Sequence, residues 1–367
     1  MWIRYYVGVL FFLPVTFFGI VMGGAWSLVS LSLTLLLSMI LDITLAHDTR
    51  NTEPNQMLIN LLPYLYLPAG LALLLALSWR ASPNDLFGVG FFFNNYFSIT
   101  IIEKTDTLQE LIIPAIYCGY GLSSCVVAAH ELVHKQRDNY SVLLGRWTMA
   151  LVGDAQFSIS HVYGHHINIG TAKDSTTARR GENVYKFIIR SSIGQYRESL
   201  SVEQRRLKME NTLFRFVKNR VFSGGMMTVS LGVAIYYMTG WQGVFAYMIA
   251  TLVAKILLEI INYIQHYGIV RVAGSKVELK HSWDCSNAFS SWTLLNLTRH
   301  ADHHSNPTVD YWQLKNTGQQ GINTGYIVHG LLALFPTLWF YIMESKLNLW
   351  DNKLASKQEL EIVALNK

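Results

Sequence analysis

Charge is what this sequence is shortest of: Asp, Glu, Lys and Arg make up 14% of its 367 residues, against roughly 25% in an average soluble domain. That shortfall argues against a water-soluble fold. Cysteine is scarce as well. Cys118, Cys125 and Cys285 are the only three, and no two form a C-x-x-C pair. Neither a disulfide framework nor a thiolate-held iron–sulfur or rubredoxin-type site can be built from this chain, so any electrons it uses must arrive from another protein. No internal repeat or low-complexity tract is evident, and no nucleic-acid motif accompanies the basic residues.

What fills the chain instead is apolar, 51% of it by residue. Six stretches, 5–23, 26–45, 57–79, 111–129, 222–241 and 243–261, approach the length a helix needs to cross a bilayer. The sequence therefore predicts an all-α integral membrane protein with a bundle of six transmembrane helices. The first stretch is too long and too aromatic for a cleaved signal, with no small-residue cleavage site before Trp26, and reads as a retained anchor. The net charge of +5 is concentrated after the fourth stretch, from Lys135 and Arg137 through Arg179, Arg180, Arg190, Arg197, Arg205 and Arg206 to Lys218. By the positive-inside bias this places that block, and both termini, in the cytoplasm.

The chain reads as five blocks: spans one to four in 1–129, a polar block 130–220, a hairpin of two spans in 221–261, a second polar block 262–324, and 325–367. The aromatic run Phe91, Phe92 and Phe93 fits an interfacial anchoring belt. The apolar stretch 325–343 contains His329 and Pro336 and reads as an interfacial or re-entrant helix packed under the polar blocks rather than a seventh span.

Eight of the twelve histidines fall in three tight clusters: His130 and His134; His161, His165 and His166; and His300, His303 and His304. On a helix, residues three or four apart share a face, so each cluster presents convergent imidazoles. All three lie near the inner ends of spans four and six and can meet. Eight imidazoles exceed what one metal ion binds, so the count implies two metals. His130-Glu131-Leu132-Val133-His134 is also a literal H-E-x-x-H, the zinc metalloprotease motif. A protease would leave the other six unexplained. A carboxylate-rich two-iron site needs two Glu-x-x-His motifs, and only Glu131 to His134 fits. A metal transporter would carry its histidines and acids inside the spans rather than at their ends.

The segment Asn262-Tyr263-Ile264-Gln265-His266-Tyr267-Gly268, together with Leu297-Thr298-Arg299-His300-Ala301-Asp302-His303-His304-Ser305-Asn306-Pro307, resembles the fourth histidine motif and last cluster of bacterial membrane alkane 1-monooxygenases. It is similar also to the related xylene methyl-group monooxygenases, while the three clusters alone are shared with membrane fatty-acid desaturases and hydroxylases. The resemblance continues through 171–185, His281-Ser282-Trp283 and Gly325-Tyr326. It implies that His130, His134, His161, His165, His166, His266, His300, His303 and His304 hold two iron ions. These would activate O2 with two electrons from a separate rubredoxin or ferredoxin-type donor and its reductase, one oxygen atom entering an apolar substrate drawn from the bilayer and the other becoming water.

Glu131, Asp174, Glu259, Asn262, His281 and Asp302 are candidates for orienting the imidazoles. Glu259, near the end of an apolar span, is expected to have Asn262 as companion. Trp26, Trp79, Phe91 and Leu122 are candidates to set the length of an apolar channel. Two departures from the commoner family pattern, Ser160 in place of a glutamate and Tyr163 between the histidines, bear on the substrate along with 316–323 and leave the metal chemistry undisturbed.

Overall fold

A computed structural model describes residues 2–51, 56–96, 107–208, 217–318, 321 and 324–365. Among these residues helix is the regular structure, and the only bridge of β type joins His47 to Asn287. Six helices among the described residues are long and apolar enough to cross a membrane: Ile3–Met22, Gly24–Thr44, Gln56–Ala81, Ile112–His134, Arg220–Thr239 and Trp241–His266. They match the six apolar stretches, with one consequential extension. The fourth runs on as unbroken helix through His130 and His134, and the sixth ends on His266, so helices that anchor in the bilayer also carry histidines.

The chain divides into two compact units. The first comprises Met1–Leu37, Met57–Ala155 and Phe222–Leu257. Its centre is the fourth span, the most buried of the six. There Gly119 faces Ala250 so closely that a Cβ would lie 2.5 Å from the Ala250 carbonyl oxygen, so only glycine lets the fourth and sixth spans approach this far. Tyr117 shares a 2.8 Å hydrogen bond with Thr34, and Tyr247 donates to the Ala150 carbonyl. Lys255 of the sixth span is paired with Asp154 at 2.7 Å, as an ionisable group at such depth requires. The first two spans are parted by Gly23 and Gly24, both at positive φ, with Arg80 filling the space where a Gly23 side chain would stand. Pro63 and Pro68 sit inside the third span, a placement membrane helices tolerate.

The second unit comprises Ser38–Gln56, Gln156–Val221 and Leu258–Lys367. Its framework includes the helices Val184–Arg206, His300–Ser305, Tyr326–Ala333, Pro336–Lys353 and Lys357–Leu365. The buried Asp42 carboxylate accepts from the Ser290 hydroxyl at 2.6 Å and from the Ile327 backbone N–H at 3.0 Å, capping the helix Tyr326–Ala333. The apolar stretch 325–343 is not one helix. It breaks at Leu334 and Phe335, and Pro336 opens a new helix that runs on to Lys353, so neither piece is among the six spans.

The channel candidates separate. Leu122 and Trp79 are buried, Trp79 donating to Asp85 at 2.6 Å, but Trp26 and Phe91 are exposed and line no interior. The aromatic run lies on a short helix, Val89–Tyr96, with Phe93 edge-on to Phe18. Of the stretch 316–323, residues 319, 320, 322 and 323 lie outside the described residues, as do 97–106 in the preceding link.

Candidate metal centre

The second cluster does not have the helical geometry its spacing suggests. Phe157–Ser160 is α-helix, but His161–His165 is a π-helical turn, and His166–Asn168 resumes the α form. A π turn brings residues five apart onto one face, and such turns concentrate at functional sites. His161 and His166 accordingly meet, Nε2 to Nε2, at 3.0 Å, while His165 points elsewhere. The expectation that His161 and His165 share a face is thereby corrected.

The third cluster is divided in a similar way. On the α-helix His300–Ser305, His300 and His304 lie 3.0 Å apart through their Nε2 atoms, but His303 turns to His166 at 3.1 Å. Seven imidazoles of the second unit thus form two sets. One is His165, His266, His300 and His304, all buried, with Nε2 contacts of 3.1 Å from His165 to His304 and 2.9 Å from His300 to His266. The other is His161, His166 and His303. In the first unit, His130 and His134 meet edge to face, 4.7 Å between ring centroids, at the end of the fourth span.

The donor chemistry fits a metal. Four ring nitrogens within 4.8 Å of one another set lone pair against lone pair unless protons or a cation stand between them. Separations near 3 Å are about those of neighbouring ligand atoms around an ion with metal–nitrogen distances of roughly 2.1 Å. The supporting shell fixes the tautomer that such binding needs. His165 Nδ1–H donates to Asp174 Oδ2 at 2.9 Å, leaving Nε2 bare, and Asp174 is itself held by the hydroxyls of Thr176 and Thr177 at 2.7 and 2.6 Å. Burial pushes the Asp174 carboxyl up, but His165 and the hydrogen bonds donated to it outweigh burial and hold it below the ordinary carboxylate range.

The other predicted orienting residues are placed differently. Glu259 is fully buried and accepts from Gln195 at 2.7 Å, so Gln195 takes the place expected for Asn262. Asp302 accepts from the Asn306 side chain and the Lys315 backbone, bracing the loop after the third cluster. Glu131 is buried on the fourth span. His281 is not brought to the imidazoles: its Nδ1 accepts from the Glu278 N–H and its Nε2–H donates to Glu359 at 2.8 Å. Burial lowers its pKa against the opposing pull of Glu359. His47 pairs with Ser286 and His329 with Thr324, both away from the two sets.

Several supports were not legible in the motifs. Asp284 accepts from the Ala301 backbone N–H at 2.6 Å, holding the first turn of the helix that carries three histidines, and burial pushes its carboxyl up to about 7. Arg271 donates to the carbonyls of Ile167 and Ile169, each at 2.7 Å, and so ties the chain after the second cluster to the chain after His266. Gly268, two residues beyond His266, has a φ of +73° and would drive a Cβ to 2.8 Å from Leu347. Behind the π turn, the Arg220 guanidinium lies 4.9 Å from the Tyr163 ring centre, itself fixed by Glu203. Glu198 stands against Gly164, and burial together with the Asp174 charge pushes its carboxyl up to about 7.

Comparison with known proteins narrows what this arrangement belongs to. Residues 110–319, more than half of the chain, match the family model for fatty acid desaturase. The chain is 30% identical over 258 residues to an alkane 1-monooxygenase of Pseudomonas putida, covering 69% of this chain and 64% of that one. It is 31% identical over 227 residues to alkane 1-monooxygenase 1 of Pseudomonas aeruginosa, covering 60% and 59%. Against the hydroxylase component of xylene/toluene monooxygenase of Pseudomonas putida it is 26% identical over 352 residues, covering 95% and 90%. The chain thus spans about three fifths of the length of these two alkane 1-monooxygenases.

Proposed function

The chain belongs to the fatty acid desaturase family, and on that premise we propose that it is a membrane two-iron monooxygenase converting the terminal C–H bond of an alkane to a primary alcohol. The observation that carries this reading is the division of the histidines into two sets, more imidazole than one ion takes. His165, His266, His300 and His304 would hold one iron and His161, His166 and His303 the other, the resemblance adding His130 and His134 as further ligands. Iron in such a set supplies the dioxygen-reducing power that no side chain has. The chain's own residues position and insulate. Asp174 holds the His165 tautomer, Asp284 and Arg271 fix the segments that carry the ligands, and the burial of His165, His266, His300 and His304 keeps water away from them.

With no thiolate site of its own, the chain takes its electrons from a separate rubredoxin or ferredoxin-type protein. The apolar spans suit a substrate dissolved in lipid. In this reading both termini and both polar blocks are cytoplasmic, so a reporter fused at Asn95 reads outside. A cytoplasmic signal there removes that topology.

A second reading has its own support: the match to the xylene/toluene hydroxylase component runs over 95% of this chain, far more than the alkane enzymes cover. Aryl-methyl hydroxylation needs the same metals and a differently shaped apolar pocket. One experiment separates the two. Membranes containing the chain are supplied with an electron donor and offered octane, dodecane, hexadecane and xylene under isotopic dioxygen. Labelled 1-alkanols support the alkane reading, labelled methylbenzyl alcohol the second. Label arriving from water contradicts both.

A further inference from the structure

The helix Val184–Arg206 is built inside out for a protein in water. Its buried side carries Ser191, Gln195, Ser199 and Glu203 beside Val184 and Phe187, whereas Tyr185, Ile189, Ile193, Tyr196 and Leu200 are 40–65% exposed. The exposed five recur at intervals of four, four, three and four, which on a helix makes a single ridge. Its buried polar side is satisfied within the second unit: Gln195 donates to Glu259 at 2.7 Å, the Ser199 hydroxyl to the Gln156 carbonyl, and Glu203 is paired with Arg206 and Arg220. The apolar ridge is left to the surroundings.

Two observations say what those surroundings are. Lys186 and Arg197 stand exposed along the flank of the ridge, and neither takes an ion-pair partner among the described residues. Arg190, on the same flank, is tied back to Glu182. The flank thus offers cations on flexible stems beside an apolar ridge that includes two tyrosines, the arrangement that seats a helix in the headgroup layer with its stems reaching to anionic phosphates. The ridge also continues. The Tyr185 hydroxyl donates to the Leu334 carbonyl at 2.8 Å, and next to it Phe335, Leu338 and Tyr341 are exposed at the start of the helix Pro336–Lys353. Seven charged residues, five of them basic after Val184, keep Val184–Arg206 from being a span itself.

We propose that the helix Val184–Arg206, with the start of Pro336–Lys353, lies in the membrane interface and binds an anionic lipid leaflet through the ridge Tyr185, Ile189, Ile193, Tyr196 and Leu200 and the cations Lys186 and Arg197. The proposal does not depend on the reaction, only on the chain's residing in a bilayer. Of the occupants an apolar ridge can take, a lipid surface is the one that accounts for both the tyrosines on it and the adjacent unpaired cations.

The test uses the whole chain in nanodiscs of phosphatidylcholine, with and without phosphatidylglycerol. A nitroxide is placed at Ile193→Cys and, for comparison, at the exposed Glu361→Cys, the three native cysteines being buried. The Ile193 label is expected to collide several-fold more with lipid-dissolved oxygen than with an aqueous nickel chelate, and the Glu361 label the reverse. Adding Lys186→Gln and Arg197→Gln to Ile193→Cys should abolish any extra shielding that phosphatidylglycerol gives. A label at Ile193 that nickel reaches as freely as the one at Glu361, in both lipids, overturns the proposal. Shielding that appears only when an electron-donor protein is added overturns it too, assigning the ridge to a protein partner.

Discussion

The second and third histidine clusters end alike, in adjacent histidines, yet they reach the same division of labour by different backbones. In His161–His166 a π turn pairs residues five apart and sends His165 away; in His300–Ser305 an ordinary α-helix pairs residues four apart and sends His303 away. In both, neighbours in sequence serve different sets, because successive side chains on a helix point about 100° apart. The two backbones are also held differently. The α-helix is fastened at its first turn by Asp284, and the π turn is backed by the Tyr163 ring under Arg220 and by Gly164 against Glu198.

The largest effect comes from removing one imidazole from either cluster. His165→Ala and His303→Ala should each lose metal and activity, and His266→Ala, which belongs to neither cluster, should lose them as completely. His47→Ala and His329→Ala should keep both. Retention of full activity and metal by His266→Ala would leave the first set with three members and remove His266 from the metal centre.

Next come the groups that act through the histidines. Asp174→Ala for the second cluster and Asp284→Ala for the third should each lower metal affinity or activity by about 10- to 100-fold, measured by chelator competition as well as turnover. Asp284→Asn keeps an acceptor for the Ala301 N–H and should recover most of the loss. If Asp284→Ala competes for metal as wild type does, the third cluster needs no fastening and the comparison fails there.

How much of this was legible beforehand depends on what each signal encodes. The six spans stand out because a bilayer demands long apolar runs, and eight of the histidines because no structural requirement clusters imidazoles so tightly; His266, outside the clusters, was legible only through the resemblance. The partition into two sets was hidden. The spacing His161 to His165 reads as one face under α geometry, and only the π turn makes His166 the partner. Asp284 and Gln195 were hidden for another reason: each supports a segment distant in sequence, so neither lies in a motif that carries chemistry. His281, picked for its place in a resembling segment, turned out to join Glu359.

Smaller effects sharpen the account of the π turn. Tyr163→Leu removes a cation–π contact worth about 0.5–2 kcal/mol and should weaken metal retention several-fold while leaving the fold intact by circular dichroism. Gly164→Ala should do the same by pressing on Glu198, and Glu198→Ala should relieve it. The smallest expected change is in acid stability. The pKa of Glu203 is lowered from 4.5 to about 2, Arg206 and Arg220 outweighing its burial. Its contribution to stability is therefore present above 4.5 and lost as pH falls through about 2. Arg220→Gln should raise the pH at which the protein unfolds in acid.

The central claim is that the chain builds two nitrogen-lined metal sites rather than one. Metal analysis of the purified chain tests it most directly. The account predicts about two irons per chain, whereas a single tightly held zinc, accompanied by proteolytic activity from His130-Glu131-Leu132-Val133-His134, would contradict it.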